Sequence, residues 1–114
     1  MTKIRIRGSR LTIEPDHHIV DLSYPIKEAF EQKGTIVVLL DPDVNLGGSG
    51  QYRNLMGFYF NGNKKWVAQL PTSDSSDVYW RIKQRDPLIV SSFSSHECKI
   101  NLFTGKIESA DFYK

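Results

Sequence analysis

Thr35-Ile36-Val37-Val38-Leu39-Leu40 is apolar on both faces of an extended chain and rich in β-branched residues. A half-buried strand alternates apolar with polar side chains, whereas an uninterrupted apolar run reads as a strand covered on both sides. This stretch is therefore expected to be a central strand, and its neighbours must supply the cover.

Upstream, Ser23 is a competent helix N-cap and Pro25 is tolerated in a first turn. Ile26, Ala29 and Phe30 then fall at i, i+3 and i+4, and Gly34 offers a left-handed stop. The spacing predicts one short helix over about residues 24–33, too short to stand alone and so packed on the sheet. Earlier still, Lys3 to Arg7 and Arg10 to Glu14 alternate around Gly8-Ser9, a two-residue hairpin turn, and His18 to Leu22 reads as a third strand.

Downstream, residues 41–50 concentrate turn formers and read as a flexible loop. The remainder reads as a meander. Asn54 to Phe60 and Lys65 to Leu70 flank Asn61-Gly62, a type I′ hairpin signal. Val78 to Lys83, Leu88 to Phe93 and Cys98 to Leu102 follow, and Lys106 to Tyr113 closes the series. The expected fold class is mainly β (α+β): one domain over 1–114, an antiparallel meander sheet of about seven to nine strands, strongly twisted or nearly closed, with the helix packed on it. Its core is expected to comprise Ile26, Phe30, Ile36, Val38, Leu40, Phe58, Phe60, Trp66, Ala68, Tyr79, Ile82, Ile89, Val90, Ile100 and Leu102.

Composition narrows the function classes. The hydrophobic fraction of 39% and charged fraction of 25% are those of a globular chain, which argues against disorder. The run Ile36 to Leu40 is far shorter than the roughly 20 residues a spanning helix needs, so no membrane is expected. Cys98 is the one cysteine, which precludes an intrachain disulfide. With a charged N-terminus unlike a secretory signal, this points to the cytoplasm. Charge is segregated: residues 1–13 carry Lys3, Arg5, Arg7 and Arg10 and no acid, residues 14–46 carry seven acids against Lys27 and Lys33, and the rest has nine bases against six acids. Such a dipolar surface can steer a charged protein partner.

Catalytic and metal motifs are incomplete. His17 and His18 are adjacent and His96 stands apart, so no metal ligand set is spaced along the chain. Asp41, Asp43 and Asn45 alternate as at the start of a calcium loop, but the required glycine is displaced and Tyr52 stands where a closing carboxylate belongs. Gly47-Gly48-Ser49-Gly50 lacks the lysine and helix of a phosphate cradle. Ser91, Ser92, Ser94 and Ser95 have no elbow or assigned base. No cofactor and no metal are expected, and the chain does not read as an enzyme. The enzymatic alternative is an RNA-cleaving or nucleic-acid-binding protein, with His17, His18 or His96 as acid and base, with Lys64, Lys65, Arg81, Lys83 or Arg85 on phosphate, and with Tyr79, Trp80 or Trp66 as stacking platforms. The slight net charge of +2 weighs against nucleic acid as the ligand.

From Tyr24 onward, Tyr24-Pro25-Ile26, Val37-Val38-Leu39-Leu40-Asp41-Pro42, Arg53-Asn54, Asn61-Gly62-Asn63-Lys64-Lys65-Trp66 and Phe103-Thr104-Gly105-Lys106 resemble a class of small bacterial proteins. In these, a short helix precedes a sheet whose hairpins look like one β-propeller blade, and the kind recurs among immunity proteins of contact-dependent growth inhibition and other polymorphic toxin systems. The resemblance implies a cytoplasmic, non-catalytic toxin-neutralising protein, monomeric or weakly dimeric, whose partner is a cognate toxin domain. Toxins that process nucleic acid are commonly basic, so Asp16, Asp41, Asp43, Asp74 and Asp77 are the candidate partner-binding residues.

Overall fold

The computed structural model describes residues 3–43 and 51–112. The expected loop over 41–50 lies mostly outside these residues, as do Asn45 of the calcium-like run, the Gly47-Gly48-Ser49-Gly50 run, and Tyr113.

Thr35–Leu40 is indeed a strand buried at all six positions, β5 in the chain order that follows. The order is β1 (Lys3–Arg7), β2 (Arg10–Glu14), β3 (His18–Asp21), β4 (Ile26–Gln32), β5 (Thr35–Leu40), β6 (Leu55–Phe58), β7 (Lys64–Val67), β8 (Tyr79–Gln84), β9 (Ile89–Ser92), β10 (His96–Ile100) and β11 (Ile107–Phe112). All pairings are antiparallel, and the strands form three sheets, β1-β2-β3, β4-β5-β6-β7 and β11-β10-β9-β8. The fold is thus all-β, with no helix among the described residues.

The central sheet is β4-β5-β6-β7, and the alternation of β5 divides the core in two. Ile36, Val38 and Leu40 point toward β2, where Leu11 and Ile13 meet them with Phe58. Val37 and Leu39 point the other way, into a larger cluster with Phe30, Leu55, Trp66, Tyr79, Leu88, Val90, Cys98 and Ile100. The double apolar face of β5 is therefore covered by a sheet on each side, not by a helix.

The segment expected to be a helix is β4. It pairs with β5 from Ile26↔Leu40 to Gln32↔Thr35, through a two-residue turn in which Lys33 and Gly34 both take positive φ, 49° and 85°. Positive φ at both central residues is the type I′ hairpin geometry, so Gly34 does supply a left-handed residue, but to a hairpin. The helical spacing of Ile26, Ala29 and Phe30 has a strand explanation. The register shifts between Ile26 and Glu28, so that Ile26 and Ala29 share the face toward β2 while Phe30 turns to the other cluster. A buried central strand must also satisfy its backbone donors and acceptors on both lateral sides. A helix lying over a face of β5 could not do that, whereas β4 and β6 do.

Nor is there one twisted or nearly closed sheet. The eleven strands among the described residues divide where the chain leaves β3 and β7 through residues without strand structure, and two apolar faces on one strand need two separate covering layers. The Asn61-Gly62 hairpin exists in a different form. Tyr59 N–H donates to the Asn63 carbonyl at 2.9 Å, Gly62 N–H donates to the Tyr59 carbonyl at 3.0 Å, and only Gly62 has positive φ, the pattern of a type I turn closed by a glycine bulge. Phe60, expected in the core, falls in that turn and is 41% exposed.

Candidate functional site

Two polar side chains organise the end of the molecule where β5 finishes and β8 begins. Asn54, fully buried, donates its amide to the carbonyls of Leu40 (3.0 Å) and Tyr79 (2.6 Å) and accepts from Tyr79 N–H (3.1 Å), tying the central sheet to β8. Asp77, just before β8, is 2% exposed. Its carboxylate accepts from the hydroxyls of Thr72 (2.8 Å) and Ser94 (3.0 Å) and from the backbone N–H groups of Val78 (3.0 Å) and Ser94 (3.1 Å). A buried carboxylate with four donors is a structural anchor, and here it fixes the β9–β10 turn against the β7–β8 connection.

Those anchored segments form the walls of an open cleft of about 540 Å³, lined by Pro42 and Asp43 after β5, Ser76 and Val78 before β8, Trp80 in β8, and Ser92, Phe93 and Ser95 around the β9–β10 turn. Phe93 stands at its mouth, 69% exposed. Trp80 contacts two cations: the Arg81 guanidinium lies 4.6 Å from its ring centroid, and the Lys27 ammonium donates to its carbonyl at 2.6 Å. Acids stand at the cleft as well. Asp43 lines the cleft directly, and Asp74 is bound to the lining residue Ser76, whose backbone N–H (2.9 Å) and hydroxyl (2.8 Å) both donate to it. Those two bonds, the backbone one first, hold the Asp74 carboxyl below its ordinary range.

The five candidate carboxylates thus have different fates. Asp41, Asp43, Asp74 and Asp77 are brought to one end of the molecule. Asp43 and Asp74 are exposed at the cleft rim, Asp41 is half-buried with its Oδ1 accepting from Asp43 N–H (2.9 Å), and Asp77 is enclosed with its oxygens already engaged. The Asp41 carbonyl accepts from the Tyr52 hydroxyl at 3.1 Å, and burial, with the Asp41 charge adding to it, pushes the Tyr52 phenol up to about 12. Asp16 is exposed in the β2–β3 turn of the other outer sheet, across the central sheet from the cleft.

The histidines do not converge. His17 and His18 lie in or beside the β2–β3 turn, facing Glu14 at 2.6 Å and Asp16 at 4.0 Å. His96 starts β10 in the opposite outer sheet, its Nδ1 3.0 Å from Ser94 Oγ and its ring edge-on to Phe112. Ser94 has a single proton, committed to Asp77, so Ser92 (2.8 Å) and His96 must each donate to Ser94 Oγ. Protons are handed toward the carboxylate, whereas a serine nucleophile needs its own proton handed to an imidazole. The proposed phosphate-binding bases are spread as well. Lys83 pairs with Glu97 at 2.7 Å, Arg85 with Glu28 at 2.9 Å, and Lys65 donates to Thr35 Oγ1 at 2.9 Å. Trp66 and Tyr79 are core residues, so of the three suggested stacking platforms only Trp80 reaches a surface recess. No group of three side chains suited to holding a metal ion occurs among the described residues.

Sequence reasoning passed over Phe93, which it placed at the end of a strand. The signal was there: Ser91-Ser92-Phe93-Ser94-Ser95 is a polar run in which a single aromatic has no apolar neighbour to pack on.

No curated protein and no solved structure matches the sequence. A family model does match, over residues 1–112, almost the whole chain. The all-β chain described here accordingly belongs to the family whose description is "Domain of unknown function (DUF7957)".

Proposed function

We propose that the protein is a non-catalytic binding protein that neutralises a toxin domain, an immunity protein acting in the bacterial cytoplasm, and that it grips its partner at the cleft. The observation that carries this reading is the pairing of a solvent-facing ring, Phe93, and the Trp80 wall with a rim bearing the Asp43 and Asp74 carboxylates. An exposed aromatic beside a recess is a common anchor of a protein interface, and nearby carboxylates speed encounter with a basic partner. The rigidity of the walls, pinned by Asp77 and Asn54, limits the entropy lost on docking. The acidic segment contributes through Asp43, while Asp77 acts from beneath as a support for the surface and not as part of it.

The test is a titration of the purified chain against the product of the adjacent reading frame. A stable complex is expected. Phe93→Ala should weaken it by about 30-fold, the scale of a central aromatic anchor. Reversing Asp43 and Asp74 to lysine should chiefly slow association and flatten its salt dependence. Either the lack of a complex or full affinity in the Phe93→Ala variant would sink the proposal.

A further inference from the structure

Among the described residues, the three sheets have six marginal strands, β1, β3, β4, β7, β8 and β11. Each marginal strand exposes backbone donors and acceptors to an incoming chain, and proteins blunt such edges with charge, shortness, bulges or cover. Five of the six are blunted here. β1 carries exposed Lys3, Arg5 and Arg7 at alternate positions. β3 is only four residues long, and the Gly62 turn sits against its His18 and Val20. β4 is bulged at Lys27, whose ammonium reaches the Trp80 carbonyl of β8. β8 is interrupted by two register shifts. β7 is four residues long, begins with Lys64 and Lys65, and shifts register against Gly57/Phe58.

β11 has no basic residue and no covering turn, and its two charges, Glu108 and Asp111, are both acidic. Ile107–Phe112 is six residues with no Lys, Arg, Pro or Gly, its last five residues exposed, and no strand beyond it among the described residues. Its ladder with β10 is regular from His96↔Phe112 to Lys99↔Ser109 and shifts only at the far end.

Charge selects the occupant. Asp111 stands directly opposite Glu97, a like-charge pair that weakens a sheet. Glu97 is compensated by Lys83, but no cation comes within ion-pair distance of Asp111 among the described residues. A basic side chain on an added strand would relieve that repulsion, whereas a second copy of this chain would bring further carboxylates to the same seam. The edge is also continuous with the cleft: Phe112 packs edge-on against His96, and the residues just before His96 include the lining residues Ser95 and Phe93.

We infer that β11 is a strand-addition site that takes an extended, basic segment of a protein partner as the fifth strand of the outer sheet; only the partner's identity as a toxin domain rests on the function proposed above. Backbone hydrogen bonds along Ile107–Phe112 supply affinity, and Asp111 sets the preference for Lys or Arg.

The test uses an end-capped peptide of alternating lysine and valine, and the same peptide with glutamate for lysine, added to the intact chain while amide exchange is followed by NMR. The lysine peptide is expected to slow exchange at alternate residues of Glu108 to Phe112 by about tenfold. Asp111→Lys, which should fold at least as well because it pairs with Glu97, is expected to weaken the peptide by about fivefold. Phe93→Ala should leave the peptide effect intact, so a failed cleft and a failed edge are distinguishable. Equal protection by the glutamate peptide, protection at another edge, or a dimer that already protects β11 without peptide would each overturn the assignment, the last by giving the edge to a second copy.

Discussion

Trp66 illustrates how a single residue links two layers. Its indole N–H donates to the Leu102 carbonyl at 2.7 Å, and its ring lies so close to Gly57 and Gly105 that a Cβ built on them would sit 2.4 Å and 2.7 Å from ring atoms. Gly105 also takes φ 73°, so a side chain there is opposed by backbone conformation and by contact together. Gly105→Ala is expected to cost about 2–3 kcal/mol, read as a lower midpoint in urea with unchanged slope. A midpoint unchanged within error would show that the ring can shift. The Asn61 to Trp66 and Phe103 to Lys106 stretches stood out in the sequence as turns with a tryptophan. Their contact could not be read there, because it joins residues far apart in the chain.

At the scale of elements, alternation around the Gly8-Ser9 turn placed β1 and β2 at their observed bounds, and β9 and β11 were placed to within about one residue between turn signals. The failure at Ile26–Gln32 has a definite cause. A bulge at Lys27 adds one residue to the period of two, and the resulting spacing matches a helical stripe. The Lys33-Gly34 turn decides the matter, and it is testable. A side chain at Gly34 meets nothing within 4 Å, so Gly34→Ala isolates the backbone cost of φ 85°. A loss of about 1 kcal/mol is expected for alanine and clearly less for Gly34→Asn, because asparagine tolerates the left-handed region. Equal losses in thermal unfolding for the two variants would argue against the type I′ geometry.

For the molecule as a whole, Asn54 is the most exacting of the polar contacts that couple the layers among the described residues. It satisfies backbone groups on β8 and at the end of β5 at once, and truncation would strand buried partners. Asn54→Ala is expected to cost about 3 kcal/mol and to raise amide exchange around Tyr79 before the central strands are affected. A loss confined to a few tenths of a kcal/mol would mean that water replaces the amide. The sequence by itself determined that this is a β protein with a doubly buried central strand, because hydrophobic periodicity and turn chemistry are local and written in neighbouring residues. It offered Asp16, Asp41, Asp43, Asp74 and Asp77 as candidates without saying which of them would share a surface. Only the tertiary structure decided that three sheets stack where one was expected, that Asp77 turns inward as an anchor, and that Phe93 faces solvent beside Trp80. Those outcomes depend on which distant strands meet and which face each presents, and a one-residue shift or bulge that local patterning cannot resolve reverses that choice.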